Sequence, residues 1–150
     1  MDNPDPVAHI LLIEDNRMDI ELTLDAFREA HLRNEVNVAR NGNEAMDYLL
    51  GREKYADRKA YPMPDIVLLD LKLPGIDGHE VLRQIKGAPL LKRLPVIILT
   101  SSKEEGDRAL SYDLGANSYL VKPVSFEGFL GVVRRIGDYW ITLNVGPPKG

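Results

Sequence analysis

Residues 66–70 read Ile-Val-Leu-Leu-Asp, and residues 71–78 continue as Leu-Lys-Leu-Pro-Gly-Ile-Asp-Gly. Four consecutive aliphatic residues without polar alternation are typical of a strand that is buried on both faces of a parallel sheet. Pro74 and Gly75 cannot continue that strand, so Asp70 lies at its carboxyl end, where open α/β sheets carry their functional groups. Taken alone, Asp70 is explained equally well as a turn-forming or helix-capping residue.

Four further strands are predicted around this stretch, at residues 8–13, 35–39, 96–99 and 118–121. Helical spacing of apolar residues follows each strand, over residues 17–30, 41–50, 77–87, 104–114 and 125–140. This alternation predicts a flavodoxin-like, doubly wound α/β fold. Its five-stranded parallel sheet has the order 2-1-3-4-5.

The composition indicates one domain in a cytoplasmic protein. The chain has 150 residues, a formal charge of −4 and no cysteine, which excludes disulfides, thiolate metal sites and cysteine nucleophiles. The acidic balance argues against direct binding to nucleic acid. Because no secretion signal and no apolar run of about 20 residues is present, we expect no membrane segment. We divide the chain into a flexible leader at 1–7, a domain at 8–140 and a C-terminal tail at 141–150.

Residues 51–64 fit no regular element, because they combine six charged side chains with two tyrosines and two prolines. Loops longer than about 12 residues are uncommon in compact domains, so this segment suggests an insertion. The simplest interpretation is a solvated connector, and a partner surface is the alternative.

Polar side chains follow four of the five predicted strands. Glu14 and Asp15 follow the first strand, Asp70 the third, Thr100 the fourth and Lys122 the fifth. In a 2-1-3-4-5 sheet these strand ends are neighbours, so the side chains converge on one crevice. Each residue alone has an ordinary explanation, as a helix-dipole partner, a β-former or a solvated charge. The four ends together indicate a site.

Three carboxylates in one crevice predict a bound cation. Two carboxylates about 4 Å apart repel by about 4 kcal/mol at an effective dielectric constant of 20. Such a cluster either raises a pKa or holds a cation, and all-oxygen ligands suit Mg²⁺ together with water and a phosphoryl oxygen. Asp70 is then placed to attack phosphorus as a carboxylate nucleophile, with Lys122 as a second positive charge.

These motifs resemble, in their order along the chain, the receiver domain of bacterial response regulators. The resemblance extends from about His9 to Tyr139. The motifs that carry it are Glu14-Asp15, Asp70 with Leu73-Pro74 and Asp77-Gly78, Thr100-Ser101, and the run from Leu114 to Pro123.

The resemblance implies a phosphoacceptor and not an enzyme. Asp70 would accept a phosphoryl group from a sensor histidine kinase, and the chain would assist its own phosphorylation and slow dephosphorylation. Asp15 and Asp70 would bind Mg²⁺, with the carbonyl of Lys72 as a further ligand. Glu14 would orient the waters of the ion, at a position where the family commonly has Asp.

The same resemblance implies a switch. Thr100 would donate a hydrogen bond to the phosphoryl oxygen, and Lys122 would pair with it. Tyr119 matches the aromatic residue that changes rotamer when Thr100 moves. Phosphorylation would therefore change the surface of the protein, and this change would carry the signal.

The long loop before the third strand and the tail beyond Trp140 resemble a narrower group. These are the stand-alone receivers that partner bacterial and cyanobacterial phytochromes, so a phytochrome is the expected kinase. We also expect a homodimer through the fourth helix, fifth strand and fifth helix, because exposed apolar patches mark interfaces. The alternative is a tail that folds back over its own helix. The apolar residues concerned are Val132, Tyr139, Ile141, Leu143 and Val145.

Two other classes of protein use a similar strand-end site. A phosphatase of the haloacid dehalogenase class needs a second acid two positions after its nucleophile, where this chain has Lys72. A flavodoxin-like FMN-binding module needs a phosphate-binding loop after the first strand, where Glu14 and Asp15 would repel phosphate. Both readings are alternatives to a receiver.

The Lys122–Pro123 bond is predicted to be cis. The cis form of an X–Pro bond costs only about 0.5–1 kcal/mol relative to trans. A cis bond would aim the Lys122 amine toward Asp70.

Overall fold

The computed structural model describes residues 7–31, 34–143 and 145–148. Five parallel strands form one sheet in the order β2-β1-β3-β4-β5, which confirms the predicted topology. The strands are β1 (Ala8–Ile13), β2 (Asn34–Ala39), β3 (Ile66–Leu69), β4 (Val96–Thr100) and β5 (Ser118–Val121).

Five α-helices connect and follow these strands. They are α1 (Arg17–Glu29), α2 (Gly42–Leu50), α3 (Gly78–Gly87), α4 (Glu105–Asp113) and α5 (Phe126–Ile136), and a π-helix (Gly137–Leu143) continues α5. The sequence predicts Asn16 and Asp77 as the N-caps of α1 and α3. Both predictions are confirmed, because each side chain accepts a hydrogen bond from the backbone N–H three residues along. Among the described residues, no helix combines the length and the hydropathy that a membrane crossing requires.

Helices cover both faces of the sheet and create two hydrophobic cores. Alternate residues of a strand point to opposite faces, so β4 sends Ile98 to one core and Ile97 to the other. α2 and α3 pack over the first core, and α1 and α5 over the second. α4 is peripheral, since Ser111 is its buried residue. Both faces of the sheet are therefore packed against helices.

The apolar spacing in the last helix predicts a core face that consists of Phe126, Phe129, Leu130, Val133, Ile136 and Trp140. This prediction is correct at Phe129, Val133 and Ile136, which are buried. It is wrong at Phe126, the first residue of the helix, which is 37% exposed. Trp140, on the π-helix, packs partly against the same core.

The segment between α2 and β3 is only in part the solvated connector that the sequence predicts: most of its charged side chains are exposed, but its aromatic side chains are packed. A 3-10 helix (Glu53–Ala56) buries Tyr55. The ring centroid of Tyr55 lies 5.1 Å from that of Tyr48 and 4.9 Å from that of Tyr61. Aromatic side chains bury large apolar areas, so this cluster fixes the segment against the first core.

Arg58 completes the same segment by capping α2. Its guanidinium donates to the carbonyl oxygens of Tyr48 and Leu49, each at 2.7 Å, and to that of Tyr61 at 3.1 Å. The last carbonyls of a helix have no partner within the helix, and here a charged side chain supplies it. The insertion thus ends one helix and leads into the central strand.

Candidate functional site

Backbone hydrogen bonds bring the strand ends to one edge of the sheet. The N–H of Asp70 donates to the carbonyl of Ile13 at 3.0 Å, and the N–H of Lys122 donates to that of Thr100 at 2.7 Å. The side chains that follow β1, β3, β4 and β5 therefore start from neighbouring points. The sheet brings together the residues that the strand-end argument selected.

The Lys122 ammonium lies at the centre of the site and donates to three carboxylates. Its Nζ is 2.6 Å from Oε1 of Glu14, 2.7 Å from Oδ2 of Asp19 and 3.0 Å from Oδ2 of Asp70. An ammonium has three donors, so all three are used. The side chains of Lys122, Glu14 and Asp70 are each less than 10% exposed.

The Lys122–Pro123 peptide bond is trans, so the prediction of a cis bond is wrong. The backbone hydrogen bond from Lys122 to Thr100 extends the β4–β5 pairing to the end of β5. From that position the long side chain reaches Asp70 directly, so no unusual turn is needed to aim it.

The pKa values of Glu14 and Lys122 are both raised in the folded protein. Burial raises the pKa of the Glu14 carboxyl above its ordinary value; Asp70 adds to this increase, and Lys122 opposes it. Burial lowers the pKa of Lys122, but its hydrogen bonds to Asp19 and Glu14 outweigh burial and raise that pKa. Lys122 is therefore firmly cationic and offsets part of the negative charge of the surrounding acids.

Glu14, Asp15 and Asp70 form a group that suits a hard cation. Each offers one carboxylate oxygen, and these oxygens all lie within 4.8 Å of one another. Asp15 is exposed, whereas the other two are buried, so the group opens to solvent on one side. Carboxylates with room for water are the ligands that Mg²⁺ takes in proteins. The donor set fits the predicted ion.

The start of α3 lies directly against the backbone of Asp70. A Cβ on Gly78 would lie 2.4 Å from the carbonyl oxygen of Asp70, so a residue without a side chain is needed there. The N–H of Lys72 donates to Oδ1 of Asp70 at 3.2 Å. The carboxylate is therefore fixed from one side while Lys122 contacts its other oxygen.

Thr100 and Tyr119 are linked through Ser102. The Thr100 hydroxyl is buried and accepts a hydrogen bond from the Ser102 N–H at 3.3 Å, and the Tyr119 hydroxyl donates to the Ser102 carbonyl at 3.0 Å. The Ser102 hydroxyl donates to the Asp107 carboxylate at 2.6 Å. Ser102 thus connects Thr100 and Tyr119 to the first turn of α4.

Asp19 is the site residue that the sequence argument missed. It lies on α1 and not at a strand end, and its carboxylate reaches the Lys122 ammonium across the crevice. A signal was present, because capping by Asn16 places Asp19 in the first turn of α1, beside the end of β1.

Known proteins share the whole fold. Residues 10–134 match the family described as response regulator receiver domain. The probable methanogenesis regulatory protein FilR2 of Methanothrix harundinacea is 40% identical over 138 residues, which cover 92% of this chain and 86% of FilR2. Response regulator Rcp1 of Synechocystis sp. is 37% identical over 140 residues, which cover 93% of each chain.

Solved structures agree with these sequence matches. The phosphorylated cyanobacterial phytochrome response regulator RcpA superposes with a TM-score of 0.88 at 39% identity, over 95% of this chain and all of RcpA. The Mn²⁺-bound form of Rcp1 superposes with a TM-score of 0.84 at 36% identity, over 94% of this chain and 99% of Rcp1.

Proposed function

The chain belongs to the response regulator receiver family, a family of phosphoacceptors in two-component signalling, and from this premise we propose that Asp70 is its phosphoacceptor. One observation carries the proposal. Asp70 is a buried carboxylate at the end of the central strand, 3.0 Å from a lysine ammonium and grouped with two further acids. This combination favours attack on a dianionic phosphoryl group, because the positive charge offsets the repulsion between nucleophile and substrate.

The transfer is an in-line displacement. An oxygen of Asp70 forms a bond to phosphorus while the bond from phosphorus to the donor histidine nitrogen breaks, and the imidazole leaves with its electron pair and takes up a proton. The product is an acyl phosphate on Asp70. Lys122 turns one N–H toward a phosphoryl oxygen, and the Thr100 hydroxyl donates to another. Positioning and charge stabilisation are most of what such a transfer requires.

We propose that the site uses Mg²⁺, which would neutralise charge on the phosphoryl oxygens. Asp15 and Asp70 would hold the ion, with the carbonyl of Lys72 as a further ligand, and Glu14 would orient bound water. The three clustered carboxylates support this assignment. The Mn²⁺ in the Rcp1 structure supports a divalent cation of the same hard, oxygen-binding kind.

We propose that the chain assists its own phosphorylation and slow dephosphorylation and is not a turnover enzyme. A haloacid dehalogenase-type phosphatase needs a general acid two residues after its nucleophile. That residue is Lys72, which is exposed and contacts Asp70 through its backbone N–H. The FMN-binding reading is disfavoured for a separate reason: Glu14 and Asp15 occupy the position of a phosphate loop.

We propose that the phosphoryl donor is a sensor histidine kinase of the phytochrome class. We also propose that the chain acts in the cytoplasm and makes no direct contact with nucleic acid. The likeness to RcpA and Rcp1 over nearly the whole chain supports a phytochrome. FilR2 is a probable methanogenesis regulatory protein, so kinases of other classes should be tested beside phytochromes. The proposed receiver unit covers residues 8–140.

Intact-mass analysis with a small acyl phosphate as donor tests the function. With MgCl₂ we expect one phosphoryl group per chain, and with a chelator in place of MgCl₂ we expect none. A chain that stays unmodified with both donor and MgCl₂ would contradict the assignment. Phosphorylated kinases of phytochrome and other classes, added at equal concentration, then rank the natural donors by rate.

We also propose a homodimer through α4, β5 and α5, helped by the tail. Four apolar side chains on these elements, and a fifth on the π-helix after α5, are more than a third exposed: Leu110, Tyr112, Val121, Phe126 and Tyr139. Of the tail residues in the earlier argument, Val145 is exposed, whereas the side chains of Ile141 and Leu143 lie outside the described part of the chain. Exposed apolar area favours self-association.

Sedimentation measures this dimer. We expect the full chain to dimerise at micromolar concentration and a chain that ends at Asp138 to dimerise more weakly. A coupling of about 1–3 kcal/mol between site and surface would change the dimer affinity 5–150-fold on phosphorylation. A full chain that is monomeric at high micromolar concentration, with and without phosphodonor, would exclude the dimer.

A further inference from the structure

We propose that Asp19 is a positioning residue that retains the Lys122 ammonium when a divalent cation binds at Asp70 with Glu14 beside it. This inference rests on the proposed function, because it concerns how that site admits its cation. It assigns a role to a helix residue that lies outside the group of acids at the strand ends.

The contacts of Lys122 create a competition. Two of its three carboxylate partners, Glu14 and Asp70, also belong to the group of three acids that suits a cation. An ammonium and a divalent cation that face the same carboxylates compete for their negative charge. When the cation enters, Lys122 therefore loses much of the charge that holds it. Its third partner, Asp19, is not a member of that group.

Hydrogen bonds fix the backbone of Asp19, whose carboxylate accepts from Lys122. Its N–H donates to Oδ1 of Asn16 at 3.0 Å, and its carbonyl accepts the hydroxyl of Thr23 at 2.7 Å. The next residue, Ile20, is buried in the second core. The backbone of this turn cannot shift easily, so the carboxylate stays within reach of Lys122.

The consequence is that Asp19 lowers the cost of cation binding. Without its charge, Lys122 has only Glu14 and Asp70 as anionic partners and competes more strongly with the ion for them. With its charge, the ammonium keeps one strong hydrogen bond and stays beside Asp70. It is then in place for the incoming phosphoryl group.

NMR-monitored titration of the full chain with MgCl₂ tests the inference. We expect Asp19→Asn to weaken Mg²⁺ binding about fivefold to tenfold, the size of coupling seen between contacting charged groups. Glu21→Gln is the matched control. Glu21 is another acid on α1, but it pairs with Arg17 at 3.5 Å and is exposed, so its replacement should leave Mg²⁺ binding unchanged.

A double variant separates action through Lys122 from bulk charge. In a Lys122→Met background the effect of Asp19→Asn should disappear, because no ammonium is left to hold. An equal weakening in both backgrounds would overturn the inference, since Asp19 would then act only by its charge. The ¹H–¹⁵N signal of the Lys122 ammonium is a second readout, and it does not require the double variant to fold.

At saturating Mg²⁺ we expect the Lys122 ammonium signal to persist in the native chain and in Glu21→Gln. In Asp19→Asn it should be lost through exchange with water. A signal that persists in Asp19→Asn contradicts the inference. If the native chain itself shows no Mg²⁺ binding that Asp70→Asn weakens, the proposed function fails instead, so the two failures are distinguishable.

Discussion

Asp70→Asn is expected to abolish the phosphoryl adduct completely and to leave the fold intact. The amide has nearly the shape of the carboxylate but no anionic oxygen to attack phosphorus. Lys122 keeps two carboxylate partners, Glu14 and Asp19, so the buried ammonium remains paired. Intact-mass analysis with donor and MgCl₂ measures the adduct, and thermal unfolding measures the fold.

Asp77→Asn is the control for this experiment. Asp77 is an exposed acid seven positions along the same loop, where it caps α3, and asparagine caps a helix as well as aspartate does. This variant should be phosphorylated like the native chain. An adduct on Asp70→Asn, at any residue, would show that Asp70 is not the sole acceptor.

Lys122→Met is expected to reduce the free energy of unfolding by about 3–5 kcal/mol at pH 7 without divalent cations, the usual cost of removing one partner from a buried charged cluster. Two buried acids and Asp19 would then share a crevice with no cation. Mg²⁺ should restore part of the loss, because a ligand that binds only the native state stabilises it. Urea unfolding with and without MgCl₂ measures both effects.

The loss in Lys122→Met should shrink as the pH falls from 8.5 to 7. Burial raises the pKa of Glu14 to about 7 in the native chain, and the variant lacks the lysine that opposes this increase, so the pKa of its Glu14 lies higher still. Between pH 8.5 and 7 the folded variant therefore holds a proton that its unfolded state, with the ordinary glutamate pKa of 4.5, does not bind, and its free energy of unfolding rises as the pH is lowered. The native chain takes up less of this proton in the same range, so the difference in stability between the two chains narrows.

Lys86→Met is the matched control for these measurements. Lys86 is also partly buried, and its Nζ donates to the carbonyls of Lys92 and Leu94 and to Oδ1 of Asn117. These oxygens are neutral, so the variant should lose stability without recovery between pH 8.5 and 7 and without a response to Mg²⁺. A similar pH and Mg²⁺ response in both variants would mean that the Lys122 effect does not come from its acids.

The sheet and most of the site were predictable because both depend on local patterns. A run such as Ile66 to Leu69 identifies a buried strand, and the residue after it identifies a site position, whatever the rest of the chain does. Right-handed crossovers then fix which strand ends are neighbours. Glu14, Asp70 and Lys122 meet for that reason.

What the sequence analysis missed depends on contacts between distant residues. The segment after α2 is ordered by Tyr55 packing on Tyr48 and by Arg58 binding helix carbonyls, and no periodicity reveals a side chain that binds backbone. Asp19 reaches Lys122 only because of how α1 is rotated against the sheet. Phe126 has the spacing of a core residue, but its place at the start of α5 leaves it exposed.

The large sequence separation between Lys122 and its partners also affects when the site forms during folding. Its hydrogen bonds to Asp70 and Asp19 join residues 52 and 103 positions apart, so they form only after the last strand has paired with the rest of the sheet. Contacts between residues so far apart in sequence form late in folding, because the intervening chain must first be ordered. A nascent chain or a proteolytic fragment that lacks β5 therefore has Asp70 but not the ammonium that pairs with it. The cluster of Lys122 with its three acids is complete only in the fully folded chain.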